Sequence, residues 1–138
     1  MINIGIVGSR TFTDYELFKN IIYNITKDLQ EKTCIIHHST IIIVSGGAKG
    51  TDSLAKRFAI ENKIHYKEYL PDWNTHGKKA GWLRNKEIIS VSDILIAFWD
   101  GKSKGTEYSI NLALGKHVPI YLYNFLDNKL IYPYNNKK

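Results

Sequence analysis

Short β-branched runs alternate along the chain with segments of helical apolar periodicity, and this alternation constrains the fold more than any other feature. Apolar runs, most of them rich in Ile and Val, are typical of buried strands and occupy residues 2–7, 40–45, 93–99 and 118–123, while residues 64–70 alternate as a further strand. Between them, apolar residues recur at spacings of three and four, which predicts helices that begin at Thr13 or Asp14, at Thr51 or Asp52, at Trp82 and at Thr106. The pattern predicts an α/β fold of three layers, Rossmann-like, in which a mostly parallel sheet of five or more strands carries helices on both faces.

The length of 138 residues fits one domain, so we expect a single unit over residues 1–138. Residues 130–138, which end in Lys137 and Lys138, are expected to form a flexible tail. The stretch 71–81 is the longest irregular part, and long loops in compact domains are usually functional.

Compartment and membrane association follow from simple signals. The single cysteine, Cys34, cannot form an internal disulfide, and the start of the chain lacks the charged and apolar regions of a secretion signal. The apolar runs are far shorter than the roughly 20 residues of a membrane-spanning helix. We therefore expect a cytoplasmic protein without membrane contact, located in the host cytoplasm if a phage encodes it.

Basic residues gather at one predicted edge of the sheet. In open parallel sheets, ligands bind at the carboxyl ends of the strands. Seven cations follow those ends, and they are Arg10, Lys49, Lys78, Lys79, Arg84, Lys102 and Lys104. This distribution predicts an anionic ligand, and the net charge of +6 also permits nucleic acid.

Glycine-rich turns at the same edge support a phosphate site. Residues 45–52 and 104–106 combine glycines with hydroxyl side chains ahead of predicted helices, where backbone N–H groups attract anions. Neither turn has the GxxxxGK spacing or the GxGxxG fingerprint of the best-known phosphate loops. The alternative is that these glycines only make tight turns between a strand and a helix.

A set of motifs in order from residue 5 to about residue 115 resembles the SLOG superfamily, and within it the small DUF2493-type branch of bacteria and phages. The motifs are residues 8–12 (GSRTF), 44–52 (VSGGAKGTD), 72–73 (DW), 80–81 (AG), 84–85 (RN), 97–101 (AFWDG) and 103–106 (SKGT). The resemblance implies a Rossmann-like fold that binds nucleotides or NAD-derived molecules such as ADP-ribose species, linear or cyclic. The superfamily also includes the LOG phosphoribohydrolases, sensor domains of antiphage systems and the DNA-processing protein DprA. Its members commonly form homo-oligomers, so a dimer or tetramer is expected.

The enzymatic branch can be compared residue by residue. In LOG enzymes, an arginine at a helix start and a glutamate three positions after a Gly-Thr pair cleave an N-glycosidic bond. Arg84 resembles that arginine, but Ser109 stands where the glutamate would follow Gly105-Thr106. Glu107 lies about 200° around the helix from Ser109. Asp52, Asp72 and Asp100 lie in the same set of loops and could substitute for the missing carboxylate, but nothing in the sequence selects one of them as a catalyst. Binding without turnover is therefore favoured; in an enzyme, Arg84 and Glu107 would be the catalytic candidates.

The predicted site collects these residues. Arg10 and Arg84 are the expected phosphate ligands, Asp52 could accept from a ribose hydroxyl or merely begin a helix, and Trp73 could stack a base or anchor its loop. The full ligand-binding set is Gly8, Ser9, Arg10, Ser45, Gly46, Gly47, Lys49, Gly50, Thr51, Asp52, Trp73, Arg84, Asn85, Asp100, Lys104, Gly105 and Thr106.

No metal and no cofactor are expected, since the histidines, including His37 and His38, lack metal-ligand spacing. Three functions remain open. The first is a binding module that senses or sequesters a nucleotide signal, with a counter-defence role in a phage. The others are a LOG-type phosphoribohydrolase and a DprA-like binder of single-stranded DNA.

Overall fold

The computed structural model describes residues 1–33 and 41–135, and within these ranges six strands pair into one sheet. The strands are β1 (Ile2–Gly8), β2 (Ile41–Ser45), β3 (His65–Glu68), β4 (Ile94–Trp99), β5 (Ile120–Asn124) and β6 (Lys129–Ile131). Their order is β3-β2-β1-β4-β5-β6. The first five strands are parallel and β6 is antiparallel to β5. This is the strand order of a Rossmann-type sheet, except that the edge strand β6 is antiparallel.

Helices connect the parallel strands. They are α1 (Tyr15–Thr33), α2 (Thr51–Glu61), α3 (Trp73–His76), α4 (Ala80–Val91) and α5 (Lys104–Gly115), with a 3₁₀ turn at Gly77–Lys79 between α3 and α4. The Asp14 carboxylate accepts a hydrogen bond from the Leu17 backbone N–H at 3.1 Å, so Asp14 caps α1.

The apolar residues separate onto the two faces of the sheet because successive strand residues point to opposite sides. Ile4, Ile6 and Phe98 pack with α1 and α2 on one face. Leu95 and Ala97 pack with α4 and α5 on the other. The predicted three-layer α/β fold with a mostly parallel sheet is confirmed.

The segment between β3 and α4 is more ordered than the long irregular loop predicted for residues 71–81. The Asp72 carboxylate accepts from the Thr75 backbone N–H at 3.1 Å and caps the single turn of α3. Two helices also begin two residues earlier than expected, α4 at Ala80 and α5 at Lys104. A difference of two residues is within the usual scatter of helix ends, where the first turn has few intrahelical hydrogen bonds to mark it.

The end of the described chain is folded onto the sheet. The Asn124 side chain accepts from the Leu126 and Asp127 backbone N–H groups, and the chain then returns as β6. Leu130 and Ile131, which we assigned to a flexible tail, therefore belong to β6. Residues 136–138, including Lys137 and Lys138, lie outside the described residues.

The aromatic residues of β5 resolve another ambiguity of the sequence, since they were compatible with either an oligomer surface or a core strand. Tyr121 and Tyr123 are 2% and 1% exposed, and Phe125 packs against the same core. Cys34, His37, His38 and Thr40 fall outside the described ranges. No helix in residues 1–33 or 41–135 has the length and apolar character needed to cross a membrane.

Candidate functional site

The strand order places a cleft at the carboxyl ends of β1 and β4. β1 pairs with β2 on one side and with β4 on the other, so the chain connections diverge at this point. A crevice at such a switch point is the usual ligand site of an open α/β sheet. The cleft has a volume of about 540 Å³, within the range of small-molecule sites. It is lined by Val7, Gly8, Ser9, Arg10, Thr11, Ala48, Asp52, Trp73, Lys78, Gly81, Trp82, Arg84, Asn85, Ile88, Asp100, Lys102, Ser103, Gly105, Thr106 and Ser109.

Ser9 lies at the turn that follows β1, and both its backbone N–H and its carbonyl are hydrogen-bonded. Its N–H donates to the Phe98 carbonyl at 2.9 Å, and its carbonyl accepts from the Thr51 hydroxyl at 2.9 Å. The residue is 2% exposed, yet Ser9 Oγ has no hydrogen-bond partner among the described residues. A buried hydroxyl without a partner is unusual, because most such groups are paired. The hydroxyl lies close enough to Asp100 to help lower the pKa of that carboxyl, but it makes no close hydrogen bond, so Ser9 offers a fixed donor in the wall of the cleft.

Arg84 projects from α4 and is almost wholly buried, with 8% of its surface exposed. Its Nη1 donates to the Gly46 carbonyl at 2.7 Å and its Nε to Asn85 Oδ1 at 2.8 Å. Burial lowers the pKa of the Arg84 guanidinium, whereas the negative charge of Asp52 acts to raise it. Because an arginine pKa starts so high, the guanidinium stays charged. The hydrogen bonds that Arg84 makes to described residues use Nε and Nη1, and neither of them uses Nη2.

Asp52 is the buried carboxylate of the cleft and belongs to the first turn of α2. Its Oδ2 accepts from the Ala48 backbone N–H at 3.1 Å. Burial raises its pKa, while the Ala48 N–H, the Arg84 charge and the nearby Ser45 hydroxyl act in the opposite direction. The buried Arg84 charge is therefore partly balanced before any ligand binds.

Most of the glycine-rich turn 45–52 packs behind the cleft and does not line it. A Cβ at Gly46 would collide with the Arg84 side chain, and one at Gly50 would collide with the Arg10 backbone. Ala48 and Asp52 face the cavity, whereas Ser45, Gly46, Gly47, Lys49, Gly50 and Thr51 lie outside its lining. For these six positions the structure favours the simpler interpretation of a tight, packed turn.

The turn after β4 forms the opposite wall. Asp100 Oδ1 accepts from the Lys102 and Ser103 N–H groups at 2.8 Å each. Partial burial raises the pKa of Asp100, but these N–H groups more than offset it and hold the pKa below its usual value. Gly105 and Thr106 line the cleft as expected.

The two positions that bear on catalysis also lie in α5. Ser109 lines the cleft, is 1% exposed and donates to the Gly105 carbonyl at 3.2 Å. Glu107 instead pairs with Lys104 at 3.8 Å, and both side chains lie outside the cleft lining. The position that faces the cavity therefore carries a hydroxyl and no carboxylate.

Four of the seven predicted cations line the cavity: Arg10, Lys78, Arg84 and Lys102. With the carboxylates of Asp52 and Asp100, the lining keeps a positive balance. Lys49, Lys79 and Lys104 lie outside it. The ligand-binding set omitted ten lining residues, which are Val7, Thr11, Ala48, Lys78, Gly81, Trp82, Ile88, Lys102, Ser103 and Ser109. Lys78 and Lys102 were visible as cations after strand ends, and Thr11 and Ser103 stood within the motifs of the resemblance, yet none of the four was chosen. In the described part of the chain, no three His, Cys, Asp or Glu side chains group as metal ligands.

Comparison with known proteins assigns the family. The sequence model of the YspA, cpYpsA-related SLOG family matches residues 3–76, more than half of the chain. The chain belongs to this family. The match covers β1 to α3 and thus one wall of the cleft, while the β4–α5 wall of this SLOG protein lies beyond it.

Two relatives extend the comparison. The Gene 61 protein of Mycobacterium phage D29 is 36% identical over 86 residues, which are 58% of this chain and 69% of the phage protein. The solved structure of DNA processing protein A from Helicobacter pylori, described for its single-stranded DNA binding mode, superposes with a TM-score of 0.62 at 24% identity. That match covers 88% of the SLOG chain but only 64% of the length of the Helicobacter protein. At this identity the likeness concerns the fold alone.

Proposed function

We propose that this SLOG protein binds the phosphate of a nucleotide-type ligand in the cleft between the turns after β1 and β4. The observation that carries the proposal is the buried, unpartnered Ser9 Oγ in a cavity that also contains the buried Arg84. A phosphate oxygen would accept from the Ser9 hydroxyl and from Arg84 Nη2. Guanidinium groups match phosphate geometry, and neither donor needs to be reorganised on binding.

The finer form of the proposal is an NAD-derived ligand, an ADP-ribose species that is linear or cyclic. The protein would sense or sequester it in the cytoplasm, and no cofactor would take part. The cavity volume of about 540 Å³ supports a ligand larger than phosphate, since a phosphate group alone would leave most of it empty. The phage relative is compatible with a counter-defence role.

Single-stranded DNA binding is the second candidate, and one observation favours it. Arg10, Lys78 and Lys102 are exposed at the mouth of the cleft, where they could follow a strand of phosphates. The fold likeness to a protein whose structure was described for single-stranded DNA binding is compatible with this arrangement.

The LOG-type hydrolase is the weakest of the three. Glycosidic cleavage through an oxocarbenium-like state normally requires a placed carboxylate. Glu107 is engaged with Lys104 outside the cleft, and Ser109 occupies the position that faces it. The carboxylates that do line the cleft, Asp52 and Asp100, already accept hydrogen bonds from the backbone N–H groups of their own turns. Arg84 is retained, and we assign it to binding.

The deciding experiment compares two buried serines by calorimetric titration with ADP-ribose. Ser9→Ala removes a hydroxyl that lies near Asp100 without a close hydrogen bond, so the fold should keep most of its stability. The affinity should fall roughly 10- to 100-fold, as for a lost hydrogen bond to a charged group. Ser92→Ala is the control, because Ser92 is also buried but lies outside the cleft lining, where its hydroxyl donates to the Ile88 carbonyl at 2.7 Å. Its affinity should stay within about twofold of the parent.

Equal binding by the parent and Ser9→Ala would overturn the phosphate site, as would an Arg84→Ala variant that binds like the parent. Chromatography of the recovered ligand separates binding from turnover. Intact ADP-ribose supports a binding module, whereas cleavage products would favour the hydrolase. Binding of only a short oligonucleotide would favour the second candidate.

A further inference from the structure

The cleft has an aromatic side as well as a charged one. Trp73 and Trp82 both line the cavity, and their exposed fractions are 54% and 44%. Tryptophan is usually well covered in folded proteins, because its ring is the largest apolar surface that a side chain can bury. Two half-exposed indoles in one cavity therefore form an apolar surface that the chain itself does not cover.

Gly81 keeps one of these rings accessible. It lines the cleft next to Trp82, and a Cβ at this position would lie 3.7 Å from Trp73 Cη2. That distance is an ordinary van der Waals contact, so Gly81 is not required by steric exclusion. A side chain longer than that of alanine would place further atoms beside the Trp73 ring. The missing side chain leaves space beside the indole.

The second ring is held in place from behind. Trp82 packs edge-on against Tyr108 of α5, with ring centroids 4.3 Å apart and an interplanar angle of 83°. This contact fixes the Trp82 ring through α4 and α5, which also carry Arg84 and Thr106. An aromatic surface that is rigid before binding loses little conformational freedom when a ligand stacks on it.

We propose that Trp73 and Trp82 form a nucleobase subsite, in which a planar base stacks on the indoles while its phosphate lies at Ser9 and Arg84. This inference rests on the proposed function and specifies the ligand: it must carry a base, and a purine should bind more tightly than a pyrimidine because it offers more surface. Stacking is tolerant of base identity, since every base has a π-face.

The test compares adenosine 5′-monophosphate with ribose 5-phosphate, which has the same phosphate and no base. For the parent, adenosine 5′-monophosphate should bind more tightly. Trp82→Ala and Trp73→Ala should each weaken its binding roughly 5- to 150-fold, the range for loss of one base stack, and leave ribose 5-phosphate within about twofold. Phenylalanine at either position should give an intermediate loss.

Gly81→Leu provides a variant that keeps both tryptophans. Leucine favours a helix and would cover the Trp73 ring, so it should reduce the binding of adenosine 5′-monophosphate but not of ribose 5-phosphate. Leu126→Ala, at an exposed apolar residue of the β5–β6 turn, is the control and should change neither affinity. Tryptophan fluorescence gives a second readout: quenching by the base should disappear in the Trp73→Phe/Trp82→Phe double variant, where Trp99 remains.

The outcomes separate the two proposals. If neither compound binds the parent, the phosphate site fails and the base subsite fails with it. If both bind with equal affinity, or if the tryptophan variants bind adenosine 5′-monophosphate like the parent, the base subsite is refuted while the phosphate site stands. A short oligothymidylate identifies the source of the base: tryptophan-dependent binding of the oligonucleotide alone assigns the subsite to single-stranded nucleic acid.

Discussion

Gly50 lies where the turn after β2 passes against the turn after β1. Its φ of +71° falls in the region that side chains rarely adopt, and a Cβ would collide with the carbonyl group of Arg10. We expect Gly50→Ala to lower the free energy of unfolding by about 2–3 kcal/mol, since strain and steric overlap act together. Urea denaturation followed by circular dichroism measures this change.

Gly115→Ala is the matched control for that substitution. Gly115 ends α5, and a Cβ there meets nothing within 4 Å. Its replacement should be neutral or stabilise the protein by up to about 1 kcal/mol. Equal effects of the two substitutions would show that the close approach at Gly50 does not constrain the fold.

The sequence predicted the chemistry of the site better than the role of each residue. Ser9, Arg10, Asp52 and Arg84 were chosen from the residue types that follow strand ends, and all four line the cleft. The roles of the glycines could not be predicted in this way. Gly46 packs against a side chain 38 positions away, and such a contact leaves no local pattern.

At the scale of elements, the β5–β6 hairpin was the least expected part of the fold. The Tyr132 ring stacks on Tyr121, with centroids 3.8 Å apart at 13°. Tyr132→Ala should lower the free energy of unfolding by about 1–2 kcal/mol through loss of the stack and its buried surface. Thermal denaturation measures this effect.

Leu126→Ala again serves as the control, because Leu126 is 63% exposed in the same hairpin. Its effect should stay within about 0.5 kcal/mol. If Tyr132→Ala is as mild, the hairpin adds nothing to stability, and the tail predicted from residue 130 would be the better description in solution.

The orientation of α5 decides whether a carboxylate of this helix can face the cleft. The sequence comparison noted that Ser109 stands in place of the LOG glutamate and that Glu107 lies about 200° away around the helix. In the structure, Ser109 faces the cavity and Glu107 pairs with Lys104 outside it. At 3.6 residues per turn, these two side chains cannot both face the same cavity.

At the scale of the whole molecule, the salt dependence of the affinity should differ between a mononucleotide and an oligonucleotide. A mononucleotide carries no condensed counterion layer, so its affinity should fall only a few-fold between 50 and 200 mM salt. An oligonucleotide that contacts all four cations of the cleft should lose about 50-fold over the same range, since each contact adds about 0.7 to the slope for single strands.

Titrations at three salt concentrations with adenosine 5′-monophosphate and a short oligothymidylate test this difference. A salt response as steep for the mononucleotide as for the oligonucleotide would contradict a compact phosphate site. The expected homo-oligomer stays a prediction, which sedimentation analysis of the same samples would test.

The sequence by itself determined the alternation of strands and helices, the three-layer class and the strand ends where the ligand-type residues lie. These properties follow from local period and residue type, which each segment carries on its own. Only the tertiary structure decided which residues face the cleft, because this depends on contacts between distant segments. The packing of Gly50 against Arg10, the burial of Arg84 beside Gly46 and the unpaired Ser9 hydroxyl all arise where separate turns meet at one edge of the sheet.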